Sequence, residues 1–229
     1  MSSGAALSPS LRVGVLGGTF DPVHHAHLKM AQLFANRLAL TEIRFVPAGD
    51  PWQKPALATP PEARVAMLHA ALDGFALRHS IDERELQRAG ASYSVDTLRE
   101  LREELGAGAL IVFLMGSDQL ARLHTWSRWQ ELFKFASLGV VLRAGAAFDA
   151  ALLDKAVVRE LEGRRVADSA LPGSLNRASG QIALIEGNLG SVSSTQVREA
   201  ARGGDYDTLD VLVPSAVRDY LRAHHLYRD

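Results

Sequence analysis

The chain has no cysteine. No disulfide framework, thiolate nucleophile or cysteine-ligated zinc is available to it, which argues against disulfide-stapled secreted scaffolds and fits a reducing cytosol. It also lacks an excess of charge of either sign: 25 Lys and Arg stand against 26 Asp and Glu, for a formal net charge of −1. With no global basic field to hold DNA, RNA or an anionic membrane nonspecifically, an anionic ligand has to be met locally. Long hydrophobic runs are missing as well, and Leu110–Met115 falls far short of the roughly 20 residues that span a bilayer. Residues 1–10 contain neither the basic region nor the apolar core of a signal peptide, so they read as a disordered tail on a cytoplasmic protein.

What is present is an ordinary globular composition: 229 residues, 47% hydrophobic and 22% charged, reading as a single domain over 11–229 with a helical C-terminal portion. Apolar, β-branched stretches at Leu11–Gly17, Glu42–Val46, Phe75–Ile81, Ala109–Met115, Ser137–Leu142 and Gln181–Ile185 predict buried strands. Helical spacing lies between them, in Met30, Leu33, Phe34 and Leu38, and again in Val95, Leu98, Arg102 and Leu105, with Ser94 as the expected N-cap. Pro214, followed by Val217, Tyr220 and Leu221, opens a last helix. Such alternation predicts an α/β fold, a Rossmann-like doubly wound parallel sheet with helices on both faces. Pro47–Pro61 reads as a long loop at a strand's carboxyl end, and Gly163–Gly180 as a mobile loop or a poorly structured insertion.

Two segments carry chemistry. The first, Gly17-Gly18-Thr19-Phe20-Asp21-Pro22-Val23-His24-His25-Ala26-His27, follows the first strand and opens the first helix. Glycines let the backbone turn and approach a ligand, a helix N-terminus offers N–H groups to an anion, and His24 and His27 face the same way in the first turn. A glycine turn with capping side chains and a zinc site are the alternatives, although no nearby Asp, Glu or Cys completes the latter convincingly. The second, Val192-Ser193-Ser194-Thr195-Gln196-Val197-Arg198, reads equally as a capping box of Ser193 with Gln196 or as a polyphosphate site with Arg198 one turn in.

The pair resembles the HxGH nucleotidyltransferase superfamily, and within it the bacterial nicotinate-nucleotide adenylyltransferases. The GGTFDPxHxGH motif matches Gly17–His27 and the SSTxxR motif matches Ser193–Arg198. Between them, Asp82-Glu83-Arg84-Glu85-Leu86, Ser92–Leu98, Gly116-Ser117-Asp118 and Thr125-Trp126 look like the family's internal signatures in the family's order, and the ending through Tyr220 to Leu226-Tyr227 is similar too. The chain departs in four places: Ala26 replaces a Gly, only Lys54 keeps the charge of the Pro51–Lys54 stretch, Ser94 stands where Thr is common, and Arg143-Ala144-Gly145 stands for Arg-Pro-Gly.

The resemblance implies a nucleotidyltransferase-type fold and adenylyl transfer from ATP, with Mg²⁺, to nicotinate mononucleotide. It implies catalytic roles for His24, His27 and Arg198. Gly17, Gly18, Thr19, Phe20, Ser193, Ser194 and Thr195 would bind ATP and its phosphates, with Gly116 and Asp118 at the ribose. Lys54, Tyr93, Ser94, Trp126 and Arg143 would bind the mononucleotide, Trp126 stacking on the pyridinium ring. A phosphopantetheine adenylyltransferase and a non-catalytic nucleotide sensor are the competing readings. His69, His79, His124, His224 and His225 read as surface or packing residues, and Arg99–Glu104 as a solvated helix face. Neither a nucleic acid nor a membrane partner is expected, and no residue pattern declares an oligomer.

Overall fold

The computed structural model of the protein describes residues 11–49, 59–143, 149–167 and 173–228. Six strands form one all-parallel sheet: β1 (Arg12–Gly18), β2 (Glu42–Pro47), β3 (His79–Ile81), β4 (Leu110–Gly116), β5 (Ser137–Arg143) and β6 (Ile182–Gly187). Their order, β3-β2-β1-β4-β5-β6, is the doubly wound one, so the direction of winding reverses between β1 and β4. The connecting helices are α1 (His25–Leu38), α2 (Pro61–Leu72), α3 (Ser94–Leu105), α4 (Ser117–Ala121), α5 (Leu132–Phe135) and α6 (Lys155–Arg164). After β6 follow α7 (Ser194–Gly203), α8 (Tyr206–Leu212) and α9 (Ser215–Ala223).

Alternation along each strand supplies both faces with apolar side chains. In β4, Leu110, Val112 and Leu114 join the α1, α2, α7 and α9 side, with Phe34, Met67, Val197 and Val217, while Ile111, Phe113 and Met115 join the α3 to α6 side, with Leu98, Leu132 and Val157. Burying such a side chain contributes about 1.5–3 kcal/mol each. α1 lies unusually close to the sheet, because a Cβ on Gly139 would sit 2.9 Å from Phe34 Cε1 and one on Gly187 2.3 Å from Leu33 Cδ2.

The structure departs from the sequence expectations in four places. The third strand pairs only over His79–Ile81; a turn at Gly74, φ +73°, diverts the chain, and Phe75 and Leu77 pack on the core without a ladder partner. Within Gly163–Gly180 the described residues are tied down rather than loose: Arg165 bridges Ile182, Leu175 is fully buried and the Gln181 side chain accepts from the Asn176 and Arg177 amides. The N-cap of α3 is Tyr93, and Ser94 is the first helical residue. Arg99–Glu104 is not simply solvated, since Arg102 donates to the carbonyls of Phe135, Ala109 and Ala178 and Glu104 pairs with Arg44 and Arg84. Residues 1–10, with the expected tail, lie outside the described residues.

Candidate active site

In a doubly wound sheet the crevice opens at the carboxyl ends of the strands flanking the reversal. Here those ends are Gly17-Gly18 on β1 and Gly116 on β4, and two hollows meet over them. A cleft of about 1350 Å³ runs between the β1–α1 turn and the start of α7. A smaller cavity of about 440 Å³ extends toward α3 and Trp126, and the two share Thr19, His27, Met30, Gly116, Asp118 and Ser194.

His27 lines both hollows, and His24 lies beside it in the cleft. The rings stack, centroids 3.8 Å apart, and Phe20 meets His27 edge-on at 5.1 Å. Phe20 holds φ at +48°, rare for a bulky residue, and Gly18 makes room for its ring, which a Cβ would approach to 3.2 Å. His27 Nδ1 accepts the His24 amide N–H at 3.2 Å, which assigns the proton of the neutral ring to Nε2. His24 is buried, its Nδ1 has no hydrogen-bond partner, and burial, with the neighbouring His25, pushes its pKa down to about 4. It is therefore a neutral imidazole at pH 7. His25 turns away toward the Val213 carbonyl, so the three histidines do not converge as a zinc set would require.

The second motif meets the first across the cleft. Ser193 caps α7: its Oγ accepts from the Gln196 amide at 3.3 Å, while Gln196 Oε1 accepts from the Ser193 amide at 2.9 Å. The capping box of the sequence reading is thus real, and it does not occupy the rest of the motif. Ser194 Oγ donates to the Pro22 carbonyl at 3.1 Å, and Arg198 donates from Nη1 to the Asp21 carbonyl at 2.7 Å and from Nη2 to Thr195 Oγ1 at 3.3 Å. Two helix N-termini and one guanidinium therefore face one cleft, an arrangement suited to a polyanion.

The smaller cavity is lined by Tyr93, Ser94, Glu85, Met115, Gln119 and Trp126. Trp126 stands edge-on to Phe113, centroids 6.0 Å apart, and its Nε1 is buried without a partner. Ser94 and Val95 begin α3, whose first-turn amides point along its axis at the cavity wall. Burial raises the Glu85 carboxyl, against the Thr97 hydroxyl, 2.7 Å from Oε1, and the Gly49 amide.

The fold brings the expected Thr19, His24, His27, Gly116, Asp118, Ser193, Ser194, Thr195 and Arg198 to the cleft and Gly17, Gly18, Tyr93, Ser94 and Trp126 to the cavity, whereas Phe20 is buried beside His27 and lines neither. Asp118 is not an N-cap, a position Gly116 holds; it lies in the first turn of α4 and is exposed. Lys54 and Trp52 lie outside the described residues, and Arg143 ends β5 with its side chain outside them too. Sequence reasoning missed the Gly187–Ser191 wall of the cleft, Glu85, and a set packed against the first motif: buried Thr59 and Arg64 and half-buried Tyr227. Glu85 and Tyr227 lie in matched segments, but nothing in their spacing tells which way they face.

The chain matches the cytidylyltransferase-like family over residues 15–200. It is 44% identical over 220 residues to a probable nicotinate-nucleotide adenylyltransferase of Chromobacterium violaceum, covering 95% of this chain and 99% of that one. A protein of the same name from Herminiimonas arsenicoxydans is 39% identical over 217 residues, covering 94% and 96%. Among solved structures, the fold is similar to Plasmodium falciparum nicotinic acid mononucleotide adenylyltransferase complexed with NaAD, with a TM-score of 0.72, 17% identity and coverage of 95% and 97%.

Proposed function

Because the chain belongs to the cytidylyltransferase-like family, and within it to the nicotinate-nucleotide adenylyltransferases, we propose that it moves the adenylyl group of ATP onto nicotinate mononucleotide. The products are deamido-NAD and pyrophosphate, which makes this a step of NAD biosynthesis. The observation that carries the reading is the convergence of α1, α7 and Arg198 on one cleft with an aromatic side cavity at its end.

The mononucleotide's phosphate, with a second pKa of about 6, is already an anionic nucleophile near neutral pH, so the reaction needs alignment and charge neutralisation rather than a general base. The attacking phosphate oxygen forms a bond to the α-phosphorus as the bond to the β-phosphate bridging oxygen breaks, without a covalent enzyme intermediate. His27 donates Nε2–H to the transferring phosphate, a role its Nδ1 contact supports. Neutral His24 holds that ring by stacking. Ser193, Thr195 and Arg198 take the β- and γ-phosphates and the departing pyrophosphate. Thr19 and Phe20 bring their backbone to the α-phosphate, and Gly116 and Asp118 meet the ribose.

Trp126 stacks on the pyridinium ring, and the first-turn amides of α3 receive its carboxylate, which disfavours the amide form because an NH₂ would oppose N–H donors. Tyr93 shapes that pocket, and Lys54 and Arg143 are assigned to the incoming mononucleotide phosphate and polyphosphate. Mg²⁺ would arrive with the ATP, held mainly by phosphate oxygens and water. When bound, it offsets charge on the leaving pyrophosphate. Among the described residues no helix is long and apolar enough to cross a membrane, and we place the reaction in the cytoplasm.

The deciding experiment measures pyrophosphate release from Mg-ATP with nicotinate mononucleotide and nicotinamide mononucleotide in parallel. Release with the acid and little with the amide is the expected result. Release with neither acceptor overturns the assignment.

A further inference from the structure

Asp21 belongs to the first motif and meets the second across the cleft, and its side chain and main chain serve different partners. Its Oδ1 accepts the Tyr227 hydroxyl at 2.6 Å, and its carbonyl accepts Arg198 Nη1 at 2.7 Å. We infer that Tyr227 is a positioning residue of the adenylyl-transfer site: by holding Asp21, it sets where the Arg198 guanidinium stands over the polyphosphate. The inference rests on the reading that this cleft takes the phosphates of ATP.

Four observations converge on it. Tyr227 keeps φ at +63°, a costly conformation for an aromatic residue, and Phe20, next to Asp21, keeps +48°; bulky residues hold such angles only where their surroundings over-determine them. Leu226, Tyr227 and Arg228 line the phosphate cleft themselves, so this segment is part of its wall. Burial and the hydrogen bond to Asp21 raise the phenol and outweigh the lowering effect of Thr59 and Arg198, so the hydroxyl is kept as a donor. A second strap works beside it: Arg64, 1% exposed, donates from Nη1 to the Thr19 carbonyl at 2.8 Å and faces both Asp21 and Tyr227.

The Thr19–Asp21 turn is thus held at one end by α2 and at the other by the segment after α9. Loss of the Tyr227 hydroxyl would leave the Asp21 carboxylate without this donor and let the peptide that holds Arg198 move. A misplacement of about 1 Å at a phosphate-aligning group is enough for large losses in rate.

The test is a double-mutant cycle of the full chain: parent, Y227F, R198A and Y227F/R198A. It follows pyrophosphate release with nicotinate mononucleotide, Mg-ATP affinity by calorimetry without acceptor, and thermal unfolding. Y227F is expected to lower kcat/KM for ATP about ten-fold in the parent and less than about two-fold in the R198A background, because its action runs through Arg198. A merely structural tether would lower both by the same factor. Equal factors in the two backgrounds, or a Y227F enzyme within about two-fold of the parent, overturn the inference. If the parent releases no pyrophosphate, the functional reading fails instead, and the cycle is scored on Mg-ATP affinity alone. If Y227F is partly unfolded at the assay temperature, all four proteins are compared where circular dichroism shows them native.

Discussion

Arg198 and Asp21 are 177 residues apart in the chain, yet the guanidinium of one donates to the main-chain oxygen of the other at 2.7 Å. That bond joins the helix opening after β6 to the turn after β1. With Nη2 also on Thr195 Oγ1 at 3.3 Å, two hydrogen bonds hold the guanidinium at the wall of the cleft.

Replacing Arg198 by Ala should therefore lower kcat by about 10²–10³-fold, as does removal of one preorganised charge-stabilising donor elsewhere. The half-buried side chain contributes less to stability, about 1 kcal/mol. Steady-state kinetics beside thermal unfolding check this. Near-normal turnover, or a protein that simply unfolds, would contradict the role given to the residue.

His24 links the site to pH. Its folded pKa, about 4, lies below the ordinary 6.5, so between those values the unfolded chain binds a proton that the native state refuses. The stability it contributes is present above pH 6.5 and is lost as pH falls toward 4, on the order of 3 kcal/mol in full. The unfolding free-energy difference between the parent and H24N should shrink across that window. A difference independent of pH would show that His24 is not the group responsible.

Trp126→Ala should raise KM for nicotinate mononucleotide about 2- to 30-fold, the equivalent of losing about 0.5–2 kcal/mol of cation–π stacking, and leave KM for ATP nearly unchanged. Trp126→Phe should recover part of the loss. A rise in both KM values together would mean that the indole supports the fold against Phe113 instead of binding substrate.

Gly139 tests how close α1 must come to the sheet. Its Ala variant places a methyl 2.9 Å from Phe34 Cε1, a ring wedged in the core, and should cost about 1–3 kcal/mol. Gly108→Ala, where the same methyl meets nothing within 4 Å, should be neutral or slightly stabilising. Denaturant melts of the two variants decide it.

Ala26 is 9% exposed at the cleft wall. Restoring Gly there should cost about 1 kcal/mol of helix stability and change KM for ATP by less than about two-fold. A much larger gain in activity would show that the methyl obstructs the phosphates.

The parallel strands, α1, α3 and the two phosphate motifs were legible in the sequence because each depends on neighbours a few residues away: the period of apolar side chains, a glycine turn, a cap. The doubly wound class was legible too, but which strand ends flank the reversal is decided by the sheet itself, which puts the ends of β1 and β4 side by side. Phe75–Ile81 shows the limit: its alternation was genuine, but a ladder needs a partner, and only His79–Ile81 found one. Tyr227 on Asp21, Glu85 in the side cavity and Arg102 on three distant carbonyls are likewise products of packing. A buried polar group must be satisfied by whatever the fold brings within hydrogen-bonding distance, and that choice is made only after the chain has closed on itself.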